Sequence, residues 1–341
     1  VMKSRSYKRI LRLDQQKLVG IFVIVLFAVF AWKQPAFSSV YSIQNILSYA
    51  GMYGIASLGM TLIILTGGTD LSAGSNMALA GVVGAGLLGK AIGAANPVSL
   101  PVPLAIAAAL CVSTCVGLVN GVCITKLSIA PFVVTLAMMS IARGLLYVIA
   151  DGVVQGVSGS PITFMDSGFC WFGQGKIGVI PVQFLLYLIL FAALWAMLRH
   201  TRFGRNIYAT GGNLEAATLA GIRTQRVIIA CYAIGGALTG ISGIVLAGRL
   251  SSASTVAATG YELDFITAVA LGGTAMSGGK GGVTGTLMGT LFLAVLNCGL
   301  DMCGVPSFYQ YLIKGVILVL AVYADFALKK RRENEVNKAR D

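Results

Sequence analysis

The residues able to do chemistry are sparse in this chain, and they are not grouped for catalysis. It has one histidine, His200, and no HExxH pair to carry zinc. There are no paired intramembrane aspartates and no Cys/His cluster, so nothing resembles a catalytic constellation. Cys111, Cys115, Cys123, Cys231 and Cys298 lie in or beside apolar runs and read as small hydrophobes. Cys170 and Cys303 fall in segments placed outside, where a disulfide is allowed. Gly84-Ala85-Gly86-Leu87-Leu88-Gly89-Lys90-Ala91 comes within one residue of a phosphate-binding loop. Ala91, however, stands where that loop needs Ser or Thr to hold magnesium. The segment also ends an apolar helix, so Lys90 is expected to snorkel to the interface. Any nucleotide must be handled by another subunit.

Ionisable groups inside lipid are costly and are functional candidates by default. Arg143 and Lys314 fall within apolar runs, whereas Asp70, Glu262 and Asp264 are expected near span ends. A proton- or sodium-coupled carrier would show carboxylates in mid-membrane, and none of the twelve acids is clearly placed there. Asn120, Tyr147, Gln155, Asn297, Tyr309 and Gln310 could touch a sugar by hydrogen bonds and aromatic faces. The same types also serve interfacial belts and interhelical hydrogen bonds. Asn120, Asn297 and Tyr309 are the residues expected to line a translocation path, near the glycine-rich turns at 67–75 and 272–282.

These groups must be positioned by a membrane domain. The 341 residues are 57% hydrophobic and only 11% charged, against about a quarter charged in a soluble domain. The expected fold is an all-α polytopic protein with spans near 18–36, 44–65, 73–92, 102–125, 131–150, 179–198, 227–248, 262–276, 283–300 and 308–328. Basic tails at 1–17 and 329–341 flank this single domain, and Lys3–Lys17 leads into a first span that should not be cleaved. Ten crossings from a cytoplasmic N-terminus put 19 basic residues inside and four outside, the asymmetry expected of cytoplasmic loops. That distribution accounts for the net charge of +13 without nucleic-acid binding.

The most polar stretch, 199–226, holds five arginines and the histidine between two apolar runs. A loop this basic faces the cytoplasm. Within it, Gly211, Gly212 and Asn213 precede Glu215-Ala216-Ala217 and a closing Gly221. This reads as a short helix offered to a cytosolic partner. Glu215 near its start favours the helix dipole, and Gly221 suits the reversal at its end. Two other segments share wording: Gly67-Gly68-Thr69-Asp70-Leu71-Ser72-Ala73-Gly74 and Gly272-Gly273-Thr274-Ala275-Met276-Ser277-Gly278-Gly279 agree at five of eight positions. They hint at two related halves, or at turns that use Gly, Ser and Thr independently. Gly117–Gly121, Gly236–Gly240 and Gly285–Gly289 have the spacing that lets helices approach closely.

From about residue 40 to residue 325 the sequence resembles the permease subunits of bacterial sugar ATP-binding-cassette importers of the ribose/galactose/xylose type. The likeness rests on an ordered set: Gly59-Met60-Thr61 with Gly67–Ser72; Pro131-Phe132-Val133-Val134-Thr135-Leu136 with Arg143-Gly144; Thr201-Arg202-Phe203-Gly204-Arg205 leading into Gly211-Gly212-Asn213; Tyr261-Glu262-Leu263-Asp264 before Gly272-Gly273-Thr274; and Tyr309-Gln310 before Lys314-Gly315. Phe265 and Thr69 stand where relatives often carry alanine and isoleucine, which blurs the substrate. The resemblance implies a non-catalytic, multi-pass subunit of the inner membrane, paired with a second permease copy. A periplasmic sugar-binding protein would dock outside and an ATPase inside. No cofactor is expected in this chain, ATP and Mg being bound by the ATPase. The coupling segment maps onto Gly211–Gly221. The rival readings are a self-sufficient secondary carrier and a permease of the same class for a non-sugar solute.

Overall fold

The computed structural model describes residues 15–89, 99–153 and 160–338, with side chains to residue 323. Lys90, Ala91, Gln155 and the tail before residue 15 lie outside the described residues, as do the side chains of the C-terminal tail. The described chain is almost wholly helical. In order the helices are α1 (Gln15–Lys33), α2 (Val40–Leu65), α3 (Ala73–Leu87), α4 (Val102–Lys126), α5 (Pro131–Val153), α6 (Ser167–Gln174), α7 (Val182–His200), α8 (Arg202–Gly212), α9 (Leu214–Leu219), α10 (Thr224–Leu250), α11 (Tyr261–Leu271), α12 (Val283–Met302) and α13 (Ser307–Lys338). Two short antiparallel pairs, 162–163 with 252–253 and 176–177 with 180–181, are the strands among the described residues. Among those residues, seven helices are long and apolar enough to cross a membrane: α1, α2, α4, α5, α7, α10 and α12. Residues 73–87 and 307–323 form shorter apolar helices.

Boundaries follow local chemistry. The Ser39 hydroxyl accepts from Ser42 N and starts α2. Pro101, Pro131 and Pro181 stand at or just before helix starts, where a missing N–H costs nothing. Gly67, at φ +84°, ends the run of α2. The short helix α6 was not apparent from apolar runs. Asp166 Oδ1 caps it through Phe169 N at 2.9 Å, and Phe169 packs edge-on to Phe164.

The central element is α10, which packs on α2, α3, α4 and α6. The expected small-residue contacts are present. A β-carbon on Gly117 would overlap the Tyr232 carbonyl oxygen, and one on Gly236 would lie 2.5 Å from Ser113 O. Gly285 and Gly289 meet the backbone of Gly272 and Ala268 in the same way. All seven cysteines are free thiols, so Cys170 and Cys303 do not pair. Cys170 Sγ lies 3.5 Å from Ser251 Oγ instead.

Candidate coupling and translocation site

The basic segment folds into two consecutive helices. Thr201 Oγ1 accepts from Gly204 N and starts α8, which ends at Gly212 where Asn213 turns extended. Asn213 Oδ1 then accepts from Ala216 N at 2.9 Å and starts α9. At its far end Gly221 N bonds Thr218 O and Ile222 N bonds Ala217 O, with Gly221 at φ +82°. Ala217 turns inward and is buried, while Leu214, Glu215 and Ala216 are exposed and Leu219 is 89% exposed.

The root of this hairpin is fixed against two glycine-rich turns. Gly211 lies directly on the Leu65 carbonyl oxygen at the end of α2, with no room for a β-carbon. The same oxygen accepts a hydrogen bond from Gly279 N at 3.0 Å. Tyr208 Oη donates to Gly281 O at 2.9 Å. Burial raises the Tyr208 phenol above its ordinary value.

Beside the hairpin opens a cleft of about 1170 Å³. Gly67, Gly68 and Tyr232 line it, together with Thr218 of α9 and the cations Lys126, Arg223 and Arg226. The turn bordering it continues into a buried polar chain. Ser72 N and Oγ donate to Asp70 Oδ1 at 2.8 and 2.6 Å, and Asn120 Nδ2 donates to Ser72 Oγ at 2.9 Å. Tyr232 Oη reaches Thr69 O at 2.9 Å, and Asn76 Nδ2 reaches Ser113 O at 3.1 Å. Asn76 Oδ1 and Asn120 Oδ1 are buried without a partner.

The three expected path residues are not brought together. Asn120 is buried in the network on α4. Asn297 is buried on α12, whose neighbours are α2, α11 and α1, and both ends of its amide are unpartnered. Tyr309 is 53% exposed on α13, its ring 4.6 Å from that of Phe308. Tyr147 is also exposed, and Gln310 Nε2 is held by Asp301 Oδ1 and Val305 O. Arg143 Nη1 donates to the carbonyls of Thr255 and Ala257 at 2.9 and 3.0 Å, and Lys314 Nζ pairs with Asp264 Oδ2 at 2.9 Å. Both cations therefore hold neighbouring segments in place. Ser72, Asn76, Tyr208 and Tyr232 were not singled out from sequence. Of these only Ser72 carried a local sign, since Asp70-x-Ser72 can close a side-chain turn. Among the described residues, no group of three or more His, Cys, Asp and Glu could share a metal ion.

Seven long apolar helices around a glycine-packed centre are the build of a multi-pass membrane protein. The sequence model of one family, described as the branched-chain amino acid transport system / permease component, matches residues 42–322. The chain belongs to this family of transport permeases. It is 40% identical over 329 residues to the ribose import permease protein RbsC of Escherichia coli (strain K12), covering 95% of this chain and 97% of that one. It is 42% identical over 309 residues to RbsC of Bacillus subtilis (strain 168), covering 90% and 91%. It is 38% identical over 325 residues to the galactose/methyl galactoside import permease protein MglC of Escherichia coli (strain K12), covering 92% and 95%. No solved structure matches the chain.

Proposed function

We propose that this chain is the membrane-spanning permease subunit of an ATP-binding-cassette importer, and that it carries a monosaccharide of the ribose type or a related sugar. The observation that carries this reading is the 40% identity to a ribose import permease across 95% of the chain. The family's own description concerns amino acids, but relatives matched over nearly their whole length are named for ribose and galactose import. The chain itself performs no catalysis and holds no cofactor; ATP and Mg bind a separate ATPase. That ATPase docks on the α9 helix, a periplasmic sugar-binding protein docks on the opposite side, and a second permease copy completes the path.

In this reading the protein crosses the bacterial inner membrane ten times, with residues 1–17, the 199–226 loop and residues 329–341 in the cytoplasm. The three elements beyond the seven long apolar helices are α3, α11 and the apolar part of α13. The two Gly-Gly-Thr turns mark related halves. The buried Asp70 favours the rival, a self-sufficient carrier, yet its carboxylate already accepts two hydrogen bonds from Ser72.

The test is uptake of radiolabelled ribose and galactose in cells lacking this chain and in cells given it back, with a reporter fused after Arg205. Restored uptake of either sugar and a cytoplasmic reporter are expected. Restored uptake of neither sugar, or a periplasmic reporter, would refute the reading.

A further inference from the structure

The root of the coupling hairpin joins three stretches of backbone that are remote in sequence. They are the C-terminus of α2 at Leu65, the C-terminus of α8 at Gly211, and the turn after α11 at Gly278–Gly281. Gly211 rests on the Leu65 carbonyl, and Gly279 N donates to that same oxygen at 3.0 Å. A β-carbon on Gly278 would stand 2.8 Å from Gly67 N and 2.9 Å from Gly211 O. The two turns that share the Gly-Gly-Thr wording thus touch each other and the hairpin at one point. We infer that this junction, clamped from the side by Tyr208, is the mechanical joint that delivers displacement of α9 to both turns at once. The inference rests on the importer reading.

Physical reasons favour a joint over ordinary packing. Side chains between helices can change rotamer and absorb a small shift, whereas backbone in direct contact has no such slack. Glycine is the residue that permits this approach, and close-packed interiors transmit strain. Only Asn213 separates α8 from α9, so motion of α9 reaches Gly211 with little chain to flex. On the receiving side, the turn at 66–68 borders the cleft and runs on to Thr69, which Tyr232 holds. The turn at 272–282 ends α11, whose Asp264 is tied to Lys314 of α13. One input at this junction therefore reaches both turns. Tyr208 adds a lateral tie, since its hydroxyl holds Gly281 O from α8.

The test uses the full complex of this chain with its ATPase and binding protein in proteoliposomes, measuring labelled ribose or galactose carried per ATP hydrolysed. Wild type must transport first; if it carries neither sugar, the importer reading fails, not the joint. Tyr208→Phe keeps the ring and removes one hydrogen bond. Sugar carried per ATP is expected to fall about two- to tenfold, the equilibrium factor one hydrogen bond controls. Thermal stability and ATPase co-purification should stay at wild-type levels. Gly211→Ala, which forces the joint apart, should hydrolyse ATP at the basal rate with transport lost. An unchanged ratio in Tyr208→Phe would overturn the proposal. Loss of assembly in step with transport in both variants would also overturn it, because the contact would then be merely structural.

Discussion

Replacing Gly236 with alanine tests the packing at the centre of the molecule. The added carbon would stand 2.5 Å from Ser113 O and 3.1 Å from Gly117 Cα, where ordinary contact begins at 3.4 Å. The approach is about 0.9 Å too close, and the opposing atoms are backbone, which cannot rotate away. Overpacking costs about 1–3 kcal/mol, and this geometry belongs at the upper end. Alanine's better helix propensity returns about 1 kcal/mol, leaving a net loss of about 2 kcal/mol. Gly144, on α5, is the control, because a β-carbon there meets nothing within 4 Å. Gly144→Ala should therefore gain about 1 kcal/mol from propensity alone. The Ser113 hydroxyl also bonds Gly236 O at 2.6 Å, but such bonds average about 0.6 kcal/mol in membranes. Ser113→Ala should thus cost less than Gly236→Ala. The assay is equilibrium unfolding of the solubilised protein in a mixed-detergent titration. Equal stability of Gly236→Ala and Gly144→Ala would refute the claim that backbone contact governs the interface of α4 and α10.

Three further outcomes follow from the geometry. Removing either partner of the Lys314–Asp264 pair, with 15% and 5% of the side chains exposed, leaves an uncompensated charge. Lys314→Met and Asp264→Leu should each cost about 3 kcal/mol in the same titration, the double variant much less; additive losses would contradict this. At Gly221, which has φ +82° and open space around it, a β-branched residue pays only backbone strain of about 1–2 kcal/mol. Gly221→Val should insert normally but lose sugar uptake and release or uncouple the ATPase, and normal uptake would sink the coupling assignment. Finally, affinity in such an importer resides in the delivered binding protein, since tight binding slows release. Calorimetric titration of the isolated permease with ribose or galactose should show no saturation below about millimolar concentration, where binding is worth about 4 kcal/mol; micromolar binding would revive the self-sufficient carrier.

The elements visible in the sequence were those punctuated locally. Proline set the starts of α4, α5 and α7, and Gly67 and Gly221 closed what preceded them. Helix α9 was legible for the same reason, because its cap, its dipole partner and its closing glycine lie within nine residues of one another. What escaped was whatever depended on a distant partner. Asn120 stood out as a polar residue in an apolar run, but its partner Ser72 is 48 positions away. Tyr232 carries no local sign of its role, since its hydroxyl meets Thr69 O across 163 positions. Helix α6 has eight residues, and its buried Phe169 gains meaning only where Phe164 and Gly84 come up against it.

The two buried acids show where chain order and depth part company. Asp70 and Asp264 both flank apolar runs in sequence, which places them at span ends, yet 2% and 4% of their surfaces are exposed. Asp70 lies in the break between α2 and α3 and Asp264 in the first turn of α11, and both are buried there although each flanks an apolar run. Each acid is also satisfied in place, Asp264 by Lys314 and Asp70 by the backbone and hydroxyl of Ser72. A carboxylate that moves protons or sodium must exchange its partners during the cycle. One bound to its own turn two residues on instead fixes the shape of a broken helix. Asp70 therefore fixes the shape of the turn at 66–72, and Asp264 ties the first turn of α11 to α13 through Lys314.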